Sequence, residues 1–461
     1  MRIPEEARAT AADLSDVAGR FLDYAVAYPD CARLMEERPD HHLAWREEYS
    51  YPLQAWPTFV GEQKAREIRH ATVEITRLAK GVLERILKND PREICNFYGI
   101  KSEELVALLL AEPTGIEEGL ARVDFVDSQD GFLCLEVNMG AYIGGWQLRF
   151  WEGLCRTHPA LVKFFAENDV TPRYEDPLNV LFKHLVEEAA RKRISDGGFL
   201  NTILAVPKEE VAPTTSLALA LNQSYSSVLA QGGLEGKIQV CSYPDSFSAR
   251  RGELYFRGAD RIHAVLEHSD DQTPLDVYRC FKAGTVSLYN GPMSQILRDK
   301  KTLALLSEHQ ESDVFNEEEK AVLRKHLPWC RVLAPGGADY RGEAVDLLEL
   351  VLGRREGFVI KHGARARGEG VVVGRMTPAD RWEAEVRSAI ETREWIVQEY
   401  VTSRPYLYHH GEGACLHDAV WGLFCFGSSY GGGFLRVMPY GRGDGIINSA
   451  RGASEGLIFE V

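Results

Sequence analysis

Between positions 121 and 138 the chain reads ARVDFVDSQDGFLCLEVN, with apolar and polar residues alternating on both sides of a turn signal, Asp127-Ser128-Gln129-Asp130-Gly131. Side chains of a strand point to opposite faces with period two, so this stretch predicts a β-hairpin. Val123 and Phe125 share one face of the first strand, and Leu133, Leu135 and Val137 share one face of the return strand. The other face carries Arg122 and Asp124 opposite Glu136 and Asn138, with Cys134 beside them. A small, carboxylate-rich oxygen set is what Mg²⁺ takes when it also carries phosphates. The neighbouring arginine suits a phosphoryl group in transfer. The same pattern also fits an exposed hairpin with an incidental Arg–Asp pair of little energetic worth. Alternation by itself weighs the two evenly.

With 461 residues, 45% hydrophobic and 26% charged, this is an ordinary globular composition on a chain too long for one typical core. Two or three subdomains are expected. The net charge of −15 argues against nucleic acid or an anionic membrane as the main partner, while leaving room for a local basic pocket for ATP. No apolar run approaches the ~20 residues of a membrane span. The opening MRIPEEARATAADLSDVAGR has early acids and no signal-type apolar core, so a cytoplasmic location is the expectation. The nine cysteines include no C-x-x-C pair, which favours neither a disulfide framework nor a zinc ribbon. His41-His42 and His409-His410 lack the i, i+4 spacing of a helical metal site and read as surface or loop residues.

Residues 5–37 and 63–87 read as helical, the second with an apolar stripe from Ile68 to Ile86. Ser102, followed by Glu103 and Glu104, reads as the cap of a further short helix. After the hairpin come glycines 140, 144 and 145, then helices over 146–168 and 177–193. A β-α-β pattern follows: strand 202–206, helix 215–229, strand 237–241. Two short strands, a helix, the strand VSLYN and a Gly-Pro turn then lead to a helix carrying Lys300 and Lys301. From Gly357 the chain reads GFVIKHGARARGEGVVVGR: a strand ending in Lys361, a loop with Gly363, Gly368 and Gly370, and a second strand. Glycines there let backbone N–H groups approach phosphate oxygens while the lysine supplies a point charge. This is not the G-x-x-x-x-G-K-[ST] loop, and a flexible basic hairpin fits equally well. Helix 378–392 and the strand WIVQEYV, with Gln398 and Glu399 at its end, precede a β-rich, glycine-punctuated C-terminal part holding Arg436 and Asn448.

Five motifs stand in order: R-x-D-x₁₁-E-x-N (Arg122, Asp124, Glu136, Asn138), D-K-x₃-A-L-L (Asp299, Lys300), V-I-K with its glycine loop (Lys361, Gly368, Gly370), I-V-Q-E-Y (Gln398, Glu399), and F-L-R with I-I-N-x-A-R-G (Arg436, Asn448). Together they resemble the circularly permuted ATP-grasp family that includes the glutathionylspermidine-synthase type of ligase. The carboxylates precede the nucleotide lysines, which is the order of the permuted branch.

The resemblance covers about residues 118–461 and implies an α+β, circularly permuted ATP-grasp fold with an N-terminal helical layer and a small α/β subdomain. The expected division is 1–117 (helical), 118–196 (metal-binding hairpin plus helices), 197–290 (α/β) and 291–461 (nucleotide-binding). By the same resemblance Asp124, Glu136 and Asn138 hold Mg²⁺ on ATP, and Arg122 and Arg436 attend the transferring phosphate. Lys300 and Lys361 bind ATP, the loop around Gly368 and Gly370 closes over the triphosphate, and Gln398 and Glu399 line adenine and ribose. Lys300 is chosen over Lys301 from the motif's register. The implied activity is ADP-forming ligation of a small carboxylate to an amine through an acyl-phosphate. The alternatives are loading of an amino acid onto a carrier-protein thiol, and nucleotide binding without catalysis. Homodimerisation is a further implication of the resemblance.

Overall fold

The computed structural model describes the whole chain except residues 1, 29–30, 32–48, 50, 112–118, 141–143, 196, 244–246, 269–271, 366–367 and 412, and the side chains at 213 and 216. The far end of the expected 5–37 helix and the pair His41-His42 fall outside the described residues. The fold is mixed α+β, built around three larger sheets.

The hairpin forms, from strand Leu120–Ser128 and return strand Gly131–Met139. It lies at one edge of a seven-stranded sheet. Its first strand pairs antiparallel with the long strand Gly413–Phe426, which pairs in turn with Ser429–Pro439, and that with Ser454–Glu460. Thr58–Val60 closes the far edge in parallel, Phe59 opposite Phe459. The opening region is therefore not helical throughout: it supplies a strand to the central sheet. Its helices are Glu5–Leu14 and Asp16–Ala27, split at Ser15, whose hydroxyl accepts from Ala18 N at 3.0 Å. Such a cap contributes about 1 kcal/mol. Phe21 then packs on Phe59 and Phe164, with ring centroids 5.0 and 5.2 Å apart.

One detail of the hairpin differs from strict alternation. Asp124 pairs with Glu136 but Phe125 pairs with Cys134, so Leu135 is an extra, bulged residue. A bulge shifts the phase of everything beyond it. Cys134 therefore turns into the core, where it is fully buried and its thiol is pushed up by burial, while Leu135 moves to the polar side. All nine cysteines are free thiols, and eight are buried.

The β-α-β segment becomes a four-stranded, all-parallel sheet in which Ala264–Glu267 lies between Ser287–Tyr289 and Thr202–Ala205, with Ile238–Cys241 outermost. The third sheet is antiparallel and joins Cys330–Val332, Trp395–Glu399, Phe358–His362 and Val371–Val373. Its inner face packs Phe358, Ile360 and Val397 against Trp382, Val386 and Ile390 of helix Ala379–Thr392. Period two then turns Val359, Lys361 and Gln398 the other way. No described helix is long and apolar enough to cross a membrane.

Candidate functional site

The polar faces of the central and antiparallel sheets enclose a cavity of about 550 Å³. Ten of the eleven residues singled out from the sequence line it, and so does Asn448; Gly370 does not. Gly370 instead closes the loop: its φ of 64° is left-handed, and its carbonyl accepts from His362 N at 2.8 Å.

Asp124 is the centre of one wall. Arg122 donates from Nε to Oδ1 at 2.9 Å and from Nη2 to Oδ2 at 3.3 Å, and Asn138 Nδ2 donates to Oδ2 at 3.1 Å. Arg436 Nη2 lies 2.8 Å from the same Oδ2. Burial alone would raise this carboxyl, but Arg122 and Arg436 outweigh it and hold it at about 2. The balance is uneven on the cationic side. Arg436 is 5% exposed, yet among the described residues its Nε meets no acceptor, and its Nη2 contact with Asp124 is ionic without hydrogen-bond alignment. A buried guanidinium with donors to spare is a place where an anion gains several charge-assisted bonds.

Lys300 and Lys361 line the same cavity and reach the return strand of the hairpin. Lys300 Nζ reaches Glu136 Oε1 at 3.0 Å and the Arg365 carbonyl at 2.6 Å. Lys301, next in the chain, turns away and donates to the Phe97 carbonyl at 3.0 Å. Lys300 caps helix Lys301–Glu308 rather than standing within it. Lys361 Nζ donates to Gln398 Oε1 at 2.7 Å and to the carbonyl of the bulged Leu135 at 3.1 Å. Burial, with Lys300 adding to it, lowers the Lys361 ammonium although Glu136 opposes the shift. Gln398 is wholly buried, and its Nε2 has no partner among the described residues. Glu399 accepts from Tyr340 Oη at 2.8 Å and Arg341 Nη2 at 2.9 Å.

Two loops meet over the cavity. Arg451 Nη2 donates to the Gly368 carbonyl at 2.9 Å, and a Cβ at Gly368, whose φ is 76°, would stand 3.0 Å from Ile446. Gly145 is under similar constraint: its φ is 108°, and a Cβ there would fall 2.1 Å from the Phe434 ring.

The sequence reading missed several lining residues. Glu455 is 3% exposed, takes hydrogen bonds from Tyr49 and Ser449, and sits opposite Arg436 in the strand register. Its signal was a carboxylate inside the apolar strand that follows the I-I-N-x-A-R-G motif. Asp418, raised to about 6 chiefly by burial, had the same signal. Tyr49 and Tyr51 come from the opening region, which had shown no chemistry.

No family model matches this chain, and no curated protein does. Among solved structures it is similar to a glutathione synthetase-like effector from Globodera pallida, determined in the apo form. The TM-score is 0.55 at 10% identity, covering 92% of this chain and 98% of that one. The likeness is one of fold.

Proposed function

We propose that the chain is an ADP-forming ligase of the ATP-grasp type that joins a small carboxylate to an amine, in the permuted arrangement the motif order implies. The observation that carries this reading is the buried Arg436, with donors unspent among the described residues, beside Asp124 in a cavity that Lys300 and Lys361 also line. Such a wall favours a polyphosphate more than a neutral ligand. The fold likeness to a glutathione synthetase-like protein supports the reading independently.

The donor set fits Mg²⁺ unevenly. Asn138 offers its amide oxygen and Glu136 its second carboxylate oxygen, the first being held by Lys300, whereas Asp124 is occupied by donors on both of its oxygens. Glu136 and Asn138 would hold the ion, and Asp124 would join them only by giving up a present partner. Bound there, Mg²⁺ shields phosphate charge, as in other phosphoryl-transfer sites. Lys300 and Lys361 would hold the ATP phosphates, and Gln398 and Glu399 the adenine and ribose. Arg122 and Arg436 would neutralise charge on the transferring group.

A carboxylate oxygen of the donor attacks the γ-phosphorus as the bond to ADP breaks. The acceptor nitrogen then attacks the acyl carbon, phosphate leaves, and the nitrogen proton passes to solvent. No covalent protein intermediate is needed, and positioning with charge neutralisation supplies the catalysis.

The test is turnover with Mg²⁺, ATP, pooled amino acids and amines, and hydroxylamine. ADP together with a hydroxamate is expected; AMP with pyrophosphate would mean adenylation and overturn the mechanism. Glu136→Ala should keep the fold and lose metal-dependent turnover by about 10³-fold. Full activity in that variant would remove Glu136 from the site.

A further inference from the structure

Beside the main cavity lies a smaller chamber of about 100 Å³. The two spaces share Trp146, Gln147, Glu210, Thr214 and His268 as lining residues, so they adjoin. The chamber sits at the carboxyl ends of the parallel strands, where Val206, His268 and Asn290 follow Ala205, Glu267 and Tyr289. Ligands of parallel α/β sheets bind at that end, because the crossovers leave a crevice there. Its deep wall is apolar: Leu178, Leu181 and Phe182 of helix Pro177–Lys192, Leu204, Leu221 and Phe424. Polar groups gather at the junction. A space of this size holds roughly four or five carbons, since a cavity of about 150 Å³ accepts benzene.

Glu267 Oε1 accepts from Tyr243 Oη at 3.0 Å and Thr273 Oγ1 at 2.6 Å. Glu210 lines both spaces and is only half-buried, which places a carboxylate where a ligand passes from the polar cavity to the apolar chamber.

We infer that this chamber takes the apolar side chain of an aliphatic α-amino acid, with the ammonium at Glu210 and the backbone end in the main cavity. Naming that amino acid as a substrate rests on the ligase reading. Leucine fits the chamber; alanine leaves it empty, and glutamate would bring a second carboxylate beside Glu267.

The experiment is titration of the full chain with L-leucine, L-alanine, L-lysine and L-glutamate, with and without Mg²⁺ and the non-hydrolysable ATP analogue AMP-PNP. Leucine should bind at least about tenfold more tightly than alanine, since a single methylene in an apolar pocket is worth 10-fold or more. Leu181→Trp, and separately the milder Leu204→Phe, should erase that preference while AMP-PNP affinity stays within about twofold. Equal affinity for leucine and alanine in the wild type would overturn the assignment. So would a leucine preference that survives both substitutions. A leucine preference without any AMP-PNP binding would instead overturn the ligase reading and leave the chamber assigned.

Discussion

Two carboxylates in this molecule sit between two arginines, and the contrast between them separates structure from chemistry. Glu319 accepts from Arg77 at 2.9 Å and from Arg85 at 2.7 and 2.6 Å, and also closes a capping box with Asn316 on helix Glu317–His326. Asp124 is held between Arg122 and Arg436. Both carboxyls are held at about 2. The shift therefore does not tell them apart. What does is the state of the arginines. Arg77 and Arg85 are partly exposed, so water meets whatever Glu319 leaves. Arg436 is buried with donors unspent in the wall of a 550 Å³ cavity. A buried cation in surplus is costly unless something arrives to pair with it. One cluster is complete as a tie between helices; on the proposed reading the other is completed by an anionic ligand.

The largest expected effect breaks the pair of clusters apart by activity. Asp124→Asn leaves Arg122 and Arg436 without their shared counter-charge, so both lose the orientation that aims them across the cavity. Turnover should fall by about 10³-fold or more. Glu319→Gln should leave turnover within about twofold, because only the helix tie is touched. Initial rates of ADP release for the two purified variants decide it. Equal losses in both would mean the cavity cluster is merely structural.

How far the site could be read in advance follows from the same geometry. Arg122, Asp124, Glu136 and Asn138 were legible because they straddle a short turn, where period two and register follow from local chain alone. The bulge at Leu135 was not legible. Nothing in FLCLEVN marks an extra residue, and only pairing with the neighbouring strand reveals that one residue has no partner. That unseen residue sends Cys134 inward and gives Lys361 a carbonyl to hold. Strand Thr58–Val60 spans three residues, too few for any periodicity, and is fixed by its pairing with a segment about 400 positions away. Glu455 and Tyr49 escaped for a related reason: each is ordinary in its own stretch, and they meet only through the fold. The side chamber was invisible because its walls come from ten separate elements with no shared motif.

A second pair of residues sharpens the comparison at intermediate size. Lys300 and Lys301 are chemically identical neighbours, one facing Glu136 in the cavity and the other tied to the Phe97 carbonyl. Loss of a charge-assisted bond to phosphate is worth about 1.5–3 kcal/mol, or roughly 10- to 150-fold in affinity. Lys300→Met should weaken binding of Mg²⁺–AMP-PNP by that factor, whereas Lys301→Met should change it less than about twofold while lowering stability. Calorimetric titration and thermal melts measure both. Reversed effects would place the nucleotide on the other lysine.

The smallest effect concerns acid stability and tests the structural cluster alone. Glu319 is lowered from its ordinary 4.5 to about 2, first by the Arg85 hydrogen bond, which outweighs burial. A carboxyl lowered on folding stabilises the native state above its unfolded value, and that stabilisation is lost as pH falls toward the folded value. Glu319→Gln keeps the side-chain length and the capping oxygen but removes the charge. Its deficit against wild type should be about 1–3 kcal/mol near pH 6, given that the arginines are partly solvated. The deficit should shrink between about pH 4.5 and pH 2 and close below that, because wild-type Glu319 is then protonated as well. Melting temperatures of the two proteins across that interval measure it. A deficit independent of pH would mean that the lost stability comes from packing at position 319, and that the ion pairs with Arg77 and Arg85 contribute nothing beyond it.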